Sequence, residues 1–313
     1  MSADAQSGRD VRDDGRGRSR LEVQRFADAQ LFLDETGPYL AEREAEHNLL
    51  FGIAATLIID PSRWRDRPYL AAIKRDEEVV AAALMTPPWN VVVSTTDDPD
   101  AIAALGHDLG RSRLTVPGIT ASVDVARAFS EVWAGRHGLT ARRTMAERIY
   151  RADRITPPTG VDGSLRLGTS DDLDLLIAWM GAFLDEAFHG ESHRQAETMV
   201  RADLESGSRT YYIWEVDGRP VSTAGVTGPT PNGIRVGPVY TPPDLRRRGY
   251  GSAVTAAASQ AQLDAGRRFV FLFTDLANAT SNKIYQAIGY EPVIDVDQWS
   301  FEPAGAASAS DEA

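Results

Sequence analysis

A predicted β-hairpin in the second half of the chain constrains the fold most strongly. Segments rich in β-formers at residues 210–216 and 220–230 flank Asp217-Gly218, and an Asp-Gly pair between two such segments is a strong signal for a two-residue hairpin turn. Residues 233–241 continue the pattern as a third strand of an antiparallel meander. Because a Rossmann fold carries its glycine-rich loop after a parallel strand, this meander argues against dinucleotide binding of that type.

Helix and strand signals continue on both sides of the meander. Before it, the pattern predicts a short strand at residues 165–167, then an N-cap signal at 169–172 ahead of an amphipathic helix at 173–188. After it, the predicted elements are an Ala-rich helix ending at Gly266, a strand at 269–274 buried on both faces, a helix ending at Gly289, and a last strand at 292–301. This order predicts an α+β fold with a mixed α/β sheet.

A break in composition divides the chain into two predicted domains. Residues 154–164 contain two adjacent prolines and two glycines, which interrupt any periodic pattern. We therefore predict one domain at residues 21–157 and a second at residues 165–303. The flanking residues 1–20 and 304–313 offer almost no large apolar side chains to a core, so we predict that both tails are disordered.

The first predicted domain repeats part of the element order of the second. Two strands flank Asp76-Glu77, and a third strand, a helix, a short strand and a further helix that ends at Gly138 follow them. The order predicts a degenerate internal duplication. The alternative is an unrelated α+β companion domain.

Composition limits the setting and the partners. The formal net charge of -12 opposes binding to nucleic acid or anionic membranes and favours a cationic or amine substrate. The chain has no cysteine, which excludes disulfides, thiolate metal sites and a cysteine nucleophile. No apolar run approaches the roughly 20 residues that span a bilayer, and the N-terminus lacks the apolar stretch of a signal peptide, so we expect a cytoplasmic protein.

The loop at residues 246–252, Arg-Arg-Arg-Gly-Tyr-Gly-Ser, is the candidate ligand site. It lies between a predicted strand and a predicted helix, where backbone N–H groups can point at an anion. Gly249 and Gly251 permit close approach of a ligand to the backbone, and the arginines complement phosphate charge. The alternative is a solvated connection without a ligand. Phosphoryl transfer is disfavoured because the loop lacks the Gly-Lys-Ser/Thr ending that holds phosphate and Mg²⁺.

Two motifs together resemble the GNAT acetyltransferase superfamily. The acyl-CoA loop of that family, Arg/Gln-x-x-Gly-x-Gly/Ala, is matched by Arg246, Gly249 and Gly251. Its later signature, Asn-x-x-Ala/Ser-x-x-Leu/Ile-Tyr followed by Gly-Phe/Tyr, is matched by Asn278, Ser281, Ile284, Tyr285, Gly289 and Tyr290. The resemblance covers about 140 residues of the C-terminal half, and the whole chain resembles a bacterial branch with a GNAT-like N-terminal half. It implies an acetyl-CoA-dependent N-acetyltransferase that acts on an amine.

The resemblance also implies roles for individual residues. The strand at residues 236–241 would separate from its neighbour to admit the pantetheine arm, and the N–H of Val239 would stabilise the oxyanion formed from the thioester. Tyr285 would donate a proton to the departing sulfur. The positions expected to contact acetyl-CoA are Val239, Tyr240, Thr241, Arg246, Arg247, Arg248, Gly249, Tyr250, Gly251, Ser252, Asn278, Ser281, Asn282 and Tyr285.

The sequence leaves several alternatives open. Asp275 and Glu186 are both candidates for the base that deprotonates the amine, and His189 and His193 are candidates for substrate binding; we predict no metal. A non-catalytic acyl-CoA-binding sensor or scaffold, or a transferase for another acyl group, would share the same loop. The equivalent loop of the first half, residues 94–101, carries three acidic residues and neither glycine nor arginine, so we expect only the second half to bind acetyl-CoA. A homodimer is also compatible with the sequence.

Overall fold

The computed structural model describes residues 20–64, 66–188 and 192–304. The predicted disordered tails therefore lie almost entirely outside the described residues. The first half contains β1 (Leu21–Arg25), α1 (Ala29–Glu42), α2 (Asn48–Ile59), β2 (Tyr69–Arg75), β3 (Glu78–Met85), β4 (Val91–Val93), α3 (Pro99–Ser112), β5 (Gly118–Ser122), α4 (Val123–His137) and β6 (Leu139–Ala152). The second half contains β7 (Ser164–Leu167), α5 (Leu173–Phe188), α6 (Ser192–Ser206), β8 (Arg209–Val216), β9 (Arg219–Thr227), β10 (Gly233–Tyr240), α7 (Tyr250–Asp264), β11 (Phe269–Asp275), α8 (Ala279–Ala287) and β12 (Glu291–Pro303).

Within these residues the strands of both halves form one mixed sheet. Its order is β1-β2-β3-β4-β5-β12-β6-β11-β10-β9-β8-β7, with β4 parallel to β5, β10 parallel to β11, and the other neighbours antiparallel. The mixed sheet with flanking helices confirms the predicted fold class.

The last strand of each half pairs with the other half. β6 follows the first-half helix α4, yet it pairs with β11, with Ile149 opposite Phe273. β12 follows the second-half helix α8, yet it pairs with β5, with Gln298 opposite Thr120. The two exchanged strands also pair with each other along most of their length. Each half therefore completes the sheet of the other.

Helices cover both faces of this sheet. Side chains from α3 and α4 in the first half, and from α7 and α8 in the second, pack on one face. Side chains from α1 and α2 pack on the opposite face with those from α5 and α6. Strand residues alternate between these clusters, as the two-residue period of a strand requires: Val270 and Leu272 face α7, whereas Phe273 faces α2. No helix in the described part of the chain is long and apolar enough to cross a membrane.

One predicted element order needs correction. The sequence pattern predicts a single helix between the first strand of the second half and the meander, but the structure has two, α5 and α6. Among the described side chains of this polar helix, Ala196, Val200 and Asp203 are buried. Its apolar residues Ala196, Met199, Val200 and Leu204 recur at helical spacing, so the sequence does carry a signal for α6 that the prediction omitted.

Candidate active site

The strands β10 and β11 separate part-way along their length. They pair in parallel at three positions, the last of which joins Arg235 and Phe271. Beyond that pair β10 continues to Tyr240 and β11 to Asp275, and these two described segments do not pair further. The separation opens a gap in the sheet where main-chain groups of β10 no longer have a partner strand on that side.

An irregularity in β10 lies beside this gap, where the Gly237-Pro238 pair predicts an interruption of regular pairing. The register of β10 against β9 shifts between Val236 and Val239, and Gly237 has a positive φ of 140°. The bulge adds one residue to β10, and Val239 follows it beyond Arg235, the last residue of β10 that pairs with β11.

The N-terminus of α7 lies next along the chain and is shaped for an anion. The helix starts at Tyr250, directly after Gly249 at φ 83°, and no side chain among the described residues caps it. Its first N–H groups are therefore left for a ligand, and the helix dipole favours a negative charge there. A Cβ atom at Gly249 would lie 2.7 Å from a methyl group of Val161, so only glycine fits this turn. Arg247 shares the left-handed conformation, with φ 63°.

Arg246 fixes the loop to neighbouring elements. Its guanidinium donates two hydrogen bonds to the carboxylate of Glu186 on α5, at 2.6 and 2.8 Å, and a third to the carbonyl of Thr241 at 2.8 Å. The same guanidinium lies 5.8 Å from the ring centre of Tyr240. The structure thus brings together four predicted site residues: Tyr240, Thr241, Arg246 and Glu186. Glu186, a predicted candidate base, forms an ion pair with Arg246.

The remaining predicted loop residues line the same turn. Arg247 and Arg248 are exposed, whereas Tyr250, Gly251 and Ser252 are half-buried in the first turn of α7. This arrangement puts mobile positive charge outside the backbone cradle, where it can screen a phosphate without occupying the cradle.

The asparagines of the second motif hold α8 in place. Asn278 caps the helix, and its side chain accepts a hydrogen bond from the N–H of Ser281 at 3.0 Å. The Asn282 side chain donates to the carbonyl of Asp275 at 2.9 Å and accepts from the hydroxyl of Tyr150 at 3.0 Å. The Asn278 amide therefore caps α8, and the Asn282 amide anchors the helix on β11 and β6.

Tyr285 lies on α8 in an apolar setting. It is half-buried, packs against the cluster under α7, and meets the ring of Tyr290 edge-on at 6.2 Å between centres. Burial raises the pKa of Tyr285 to about 12, and the hydroxyl of Ser281 only partly opposes this shift. The phenol is therefore protonated at neutral pH and able to donate a proton.

Two carboxylates lie opposite each other at the end of β11. Asp275, a predicted candidate, is the register partner of Glu147 on the exchanged strand β6. Glu147 accepts a hydrogen bond from the Gln298 side chain of β12 at 2.6 Å. Burial, reinforced by the charge of Asp275, raises the pKa of Glu147, although the bond from Gln298 and the charge of Arg235 oppose it. No motif marks Glu147, since it is brought here only by the exchange of β6.

A buried ionic network reaches the bulge from the first half of the chain. Arg209 donates a hydrogen bond to the carbonyl of Gly237 at 2.7 Å and a second to Asp203 at 2.8 Å. Asp203 is only 1% exposed and also accepts from Arg63, which follows α2, at 2.6 Å. Burial opposes the ionisation of Asp203, but the charges of Arg209 and Arg63 outweigh it and lower its pKa. The network fixes the carbonyl direction at the bulge.

The equivalent helix of the first half already holds an anion of its own. Asp98 caps α3, accepting from the N–H of Asp100 at 3.1 Å, and Arg75 binds its carboxylate at 2.6 and 2.9 Å. The hydrogen bond from Arg75 lowers the pKa of Asp98, and this effect is larger than the opposing effect of burial. The position that a phosphate would occupy at α3 is therefore taken by a carboxylate of the chain itself.

The described residues contain no cluster of three or more His, Asp or Glu side chains arranged to hold a metal ion. His189 lies outside the described residues, as does the side chain of His193.

Comparisons with known proteins match one part of the chain to a family. Residues 176–290 match the model of the acetyltransferase (GNAT) family. A Drosophila protein superposes with a TM-score of 0.65 at 13% identity, covering 90% of this chain and 98% of that one. A tandem GNAT protein from the clavulanic acid biosynthesis pathway gives 0.53 at 14% identity over 91% and 99% of the two chains. A GCN5-related N-acetyltransferase from Kribbella flavida gives 0.52 at 18% identity over 82% and 96%.

At these identities the solved structures show a shared fold and nothing finer. No curated protein matches the sequence. The likeness to a tandem GNAT protein extends over both halves of the chain, in agreement with the predicted internal repeat. The glycine-rich turn, the gap between β10 and β11 and the family match coincide in the second half, and residues 176–290 accordingly form a domain of the GNAT acetyltransferase family.

Proposed function

We propose that this protein transfers an acetyl group from acetyl-CoA directly to a primary amine of a small molecule or peptide. One observation carries the proposal: β10 and β11 separate after Arg235 and Phe271, and the uncapped N-terminus of α7 follows β10 directly. A thioester arm lying in the gap would place its pyrophosphate at that helix terminus, where free N–H groups and the dipole bind anions.

The gap also offers groups for the reaction. We assign the N–H of Val239, which lies at the bulge, to the thioester carbonyl oxygen as charge develops there. The amine nitrogen attacks the carbonyl carbon, the C–N bond forms, and the C–S bond breaks. Tyr285, which is protonated before this step, donates its phenolic proton to the departing sulfur and regains a proton from solvent.

The amine must lose a proton in the same reaction, and Asp275 is our candidate base. It ends β11, in the part of that strand that no longer pairs with β10 and borders the gap. Glu186 is the weaker candidate because both of its carboxylate oxygens accept hydrogen bonds from Arg246. We therefore assign Glu186 to holding the CoA loop, and the base to Asp275.

The roles of the two halves follow from their helix termini. α7 has no side-chain cap among the described residues, whereas Asp98 and Arg75 fill the corresponding place at α3. We therefore propose one acetyl-CoA site per chain, in the second half, with acetyl-CoA as co-substrate and no metal.

The test is a calorimetric titration with acetyl-CoA, followed by detection of free thiol over a panel of amines. One site per chain with amine-dependent thiol release is the expected result. Binding without thiol release from any amine would instead favour an acyl-CoA sensor, and release with a longer acyl-CoA but not with acetyl-CoA would favour another acyl group. Absence of binding would refute the cradle assignment.

A further inference from the structure

The face of the sheet that carries α1, α2, α5 and α6 presents one arginine and two carboxylates, which complement the two opposite charges of a small acceptor molecule. Arg235 on β10 and Glu147 on β6 point to this face, on either side of β11. Between them lie Phe273 and Asp275 of β11, which also face this way. These residues come from three strands, one of which belongs to the other half.

Arg235 has no carboxylate in direct contact with it. Among the described residues its guanidinium forms no ion pair, and its side-chain hydrogen bond goes to the Asn48 amide oxygen on α2 at 3.5 Å. Burial, together with the like charge of Arg209, lowers the pKa of Arg235 to about 10, and the charge of Glu147 opposes this only in part. A half-buried guanidinium beside a second cation is costly unless an anion compensates it.

The guanidinium also points in a defined direction. It lies 5.9 Å from the ring centre of Phe273, two residues further along β11 than Phe271, its register partner. Since a strand rises about 3.3 Å per residue, the side chain reaches forward toward the Asp275 and Glu147 end of the face. That end is the part of β11 that borders the gap.

At Glu147 and Asp275 the excess charge is negative. The two carboxylates are directly paired across neighbouring strands, and like charges so placed repel each other. The only described hydrogen bond to Glu147 comes from the neutral amide of Gln298. A cation between the carboxylates would relieve the repulsion, just as an anion would neutralise Arg235.

We propose that the acceptor is an amino acid, held with its amine at Glu147 and Asp275 and its carboxylate at Arg235. The inference rests on the proposed acetyl transfer, since it names the substrate class of the same site. It gives the proton a defined course: the ammonium passes one proton to the carboxylate pair, and the neutral nitrogen faces the gap between β10 and β11.

The site draws on both halves of the chain. Glu147 is contributed by the exchanged strand of the first half, and its hydrogen-bond donor Gln298 by the exchanged strand of the second. The degenerate half therefore supplies an amine-binding carboxylate to the half that binds acetyl-CoA.

The test compares amino acids with their own amides, which keep the amine and remove the carboxylate charge. With acetyl-CoA saturating, thiol release is measured for leucine, phenylalanine, glutamate and lysine beside leucinamide and its three counterparts. We expect kcat/KM to be at least about tenfold higher for the best acid than for its amide, equal to about 1.4 kcal/mol. Equal values for acids and amides would overturn the inference and leave the acetyltransferase proposal intact.

Two substitutions test where the carboxylate and the amine of the acceptor bind. Arg235→Met should abolish the preference for the acid by raising its KM, whereas Arg268→Met, at an exposed arginine outside this face, should keep it. Glu147→Gln should raise KM for acids and amides alike. Neither Arg235→Met nor Glu147→Gln should change the Kd for acetyl-CoA, and thermal unfolding checks that each variant is folded. A preference that survives Arg235→Met in a folded protein refutes the carboxylate assignment.

A binding measurement separates this inference from the proposed function. If acetyl-CoA binds but no acceptor releases thiol, the catalytic proposal fails, and titration of the same amino acids into the CoA complex still reads the acceptor site. Binding of an acid but not of its amide would then support the site, and absence of both would refute it.

Discussion

Replacing Asp203 by asparagine should destabilise this protein more than most single substitutions. The Asp203 carboxylate is 1% exposed and accepts hydrogen bonds from Arg63, Arg209, Ser208 and Tyr211, at 2.6 to 3.1 Å. Asparagine has the same shape but no charge. The substitution therefore leaves two guanidinium groups without their counter-ion in a site that excludes water.

The exposure of these groups sets the magnitude. The side chains of Arg63 and Arg209 are only 13% and 11% exposed, so solvent screens them weakly. Removing one partner of a buried ion pair costs about 3 to 5 kcal/mol, because the other charge remains buried. This is a large part of the roughly 5 to 15 kcal/mol by which a folded domain is stable.

Urea unfolding at pH 7 measures this loss. The matched control is Asp124→Asn, which removes an ion pair with Arg127 whose side chains are 88% and 61% exposed, and should change the free energy of unfolding by less than about 0.5 kcal/mol. A loss of less than about 1 kcal/mol for Asp203→Asn would show that the network is not held by charge and would refute the reasoning.

The pH dependence gives an independent check. The pKa of Asp203 is lower in the folded protein than its ordinary value of 3.8. Its stabilisation is therefore fully present above the unfolded pKa and is lost as the pH falls through the folded pKa. The difference between wild type and Asp203→Asn should stay constant from about pH 5 to 8 and shrink below about pH 4. A difference that grows on acidification would contradict the sign of the shift.

Three further predictions address the site and the fold. Gly249→Ala should weaken acetyl-CoA binding at least about tenfold by calorimetry, because the new Cβ meets Val161; Gly266→Ala, at φ 93° with open space around it on the far end of α7, should carry similar backbone strain and leave the Kd unchanged. Tyr285→Phe should lower kcat by about 10²-fold or more while the Kd for acetyl-CoA stays constant, and an unchanged kcat would assign the proton to water or another group. Because β6 and β12 are exchanged, calorimetric unfolding should show a single transition, and two separate transitions would argue against mutual completion of the sheet.

Local signals in the sequence predict most elements of the second half of the fold. The Asp217-Gly218 turn, the apolar strand before Asp275 and the stop at Gly289 each act over a few residues, so the sequence alone identifies them. The glycine of the CoA loop is equally local, since Gly249 takes a positive φ that few other residues adopt.

The strand exchange could not be predicted in this way. Ile149 and Phe273 are far apart in sequence, and both β6 and β12 read as ordinary strands whichever half they complete. Helix α6 is a different case, because its apolar residues Ala196, Met199, Val200 and Leu204 recur at helical spacing and the prediction should have included it. The contact between Arg63 and Asp203 could not be predicted for the same reason as the strand exchange, because it forms only when the two halves pack together.

The exchange changes how the degenerate half should be understood. With Asp98 and Arg75 filling its helix terminus, the first half lacks the open terminus that we propose binds a phosphate at α7. It nevertheless places Glu147 beside β11 and Arg63 against the network that fixes Gly237 at the bulge. A half that only packed against its neighbour would be replaceable by any apolar surface. This one supplies a wall of the proposed acceptor site and a support of the strand that we propose binds CoA, so the chain must fold as a unit for either site to exist.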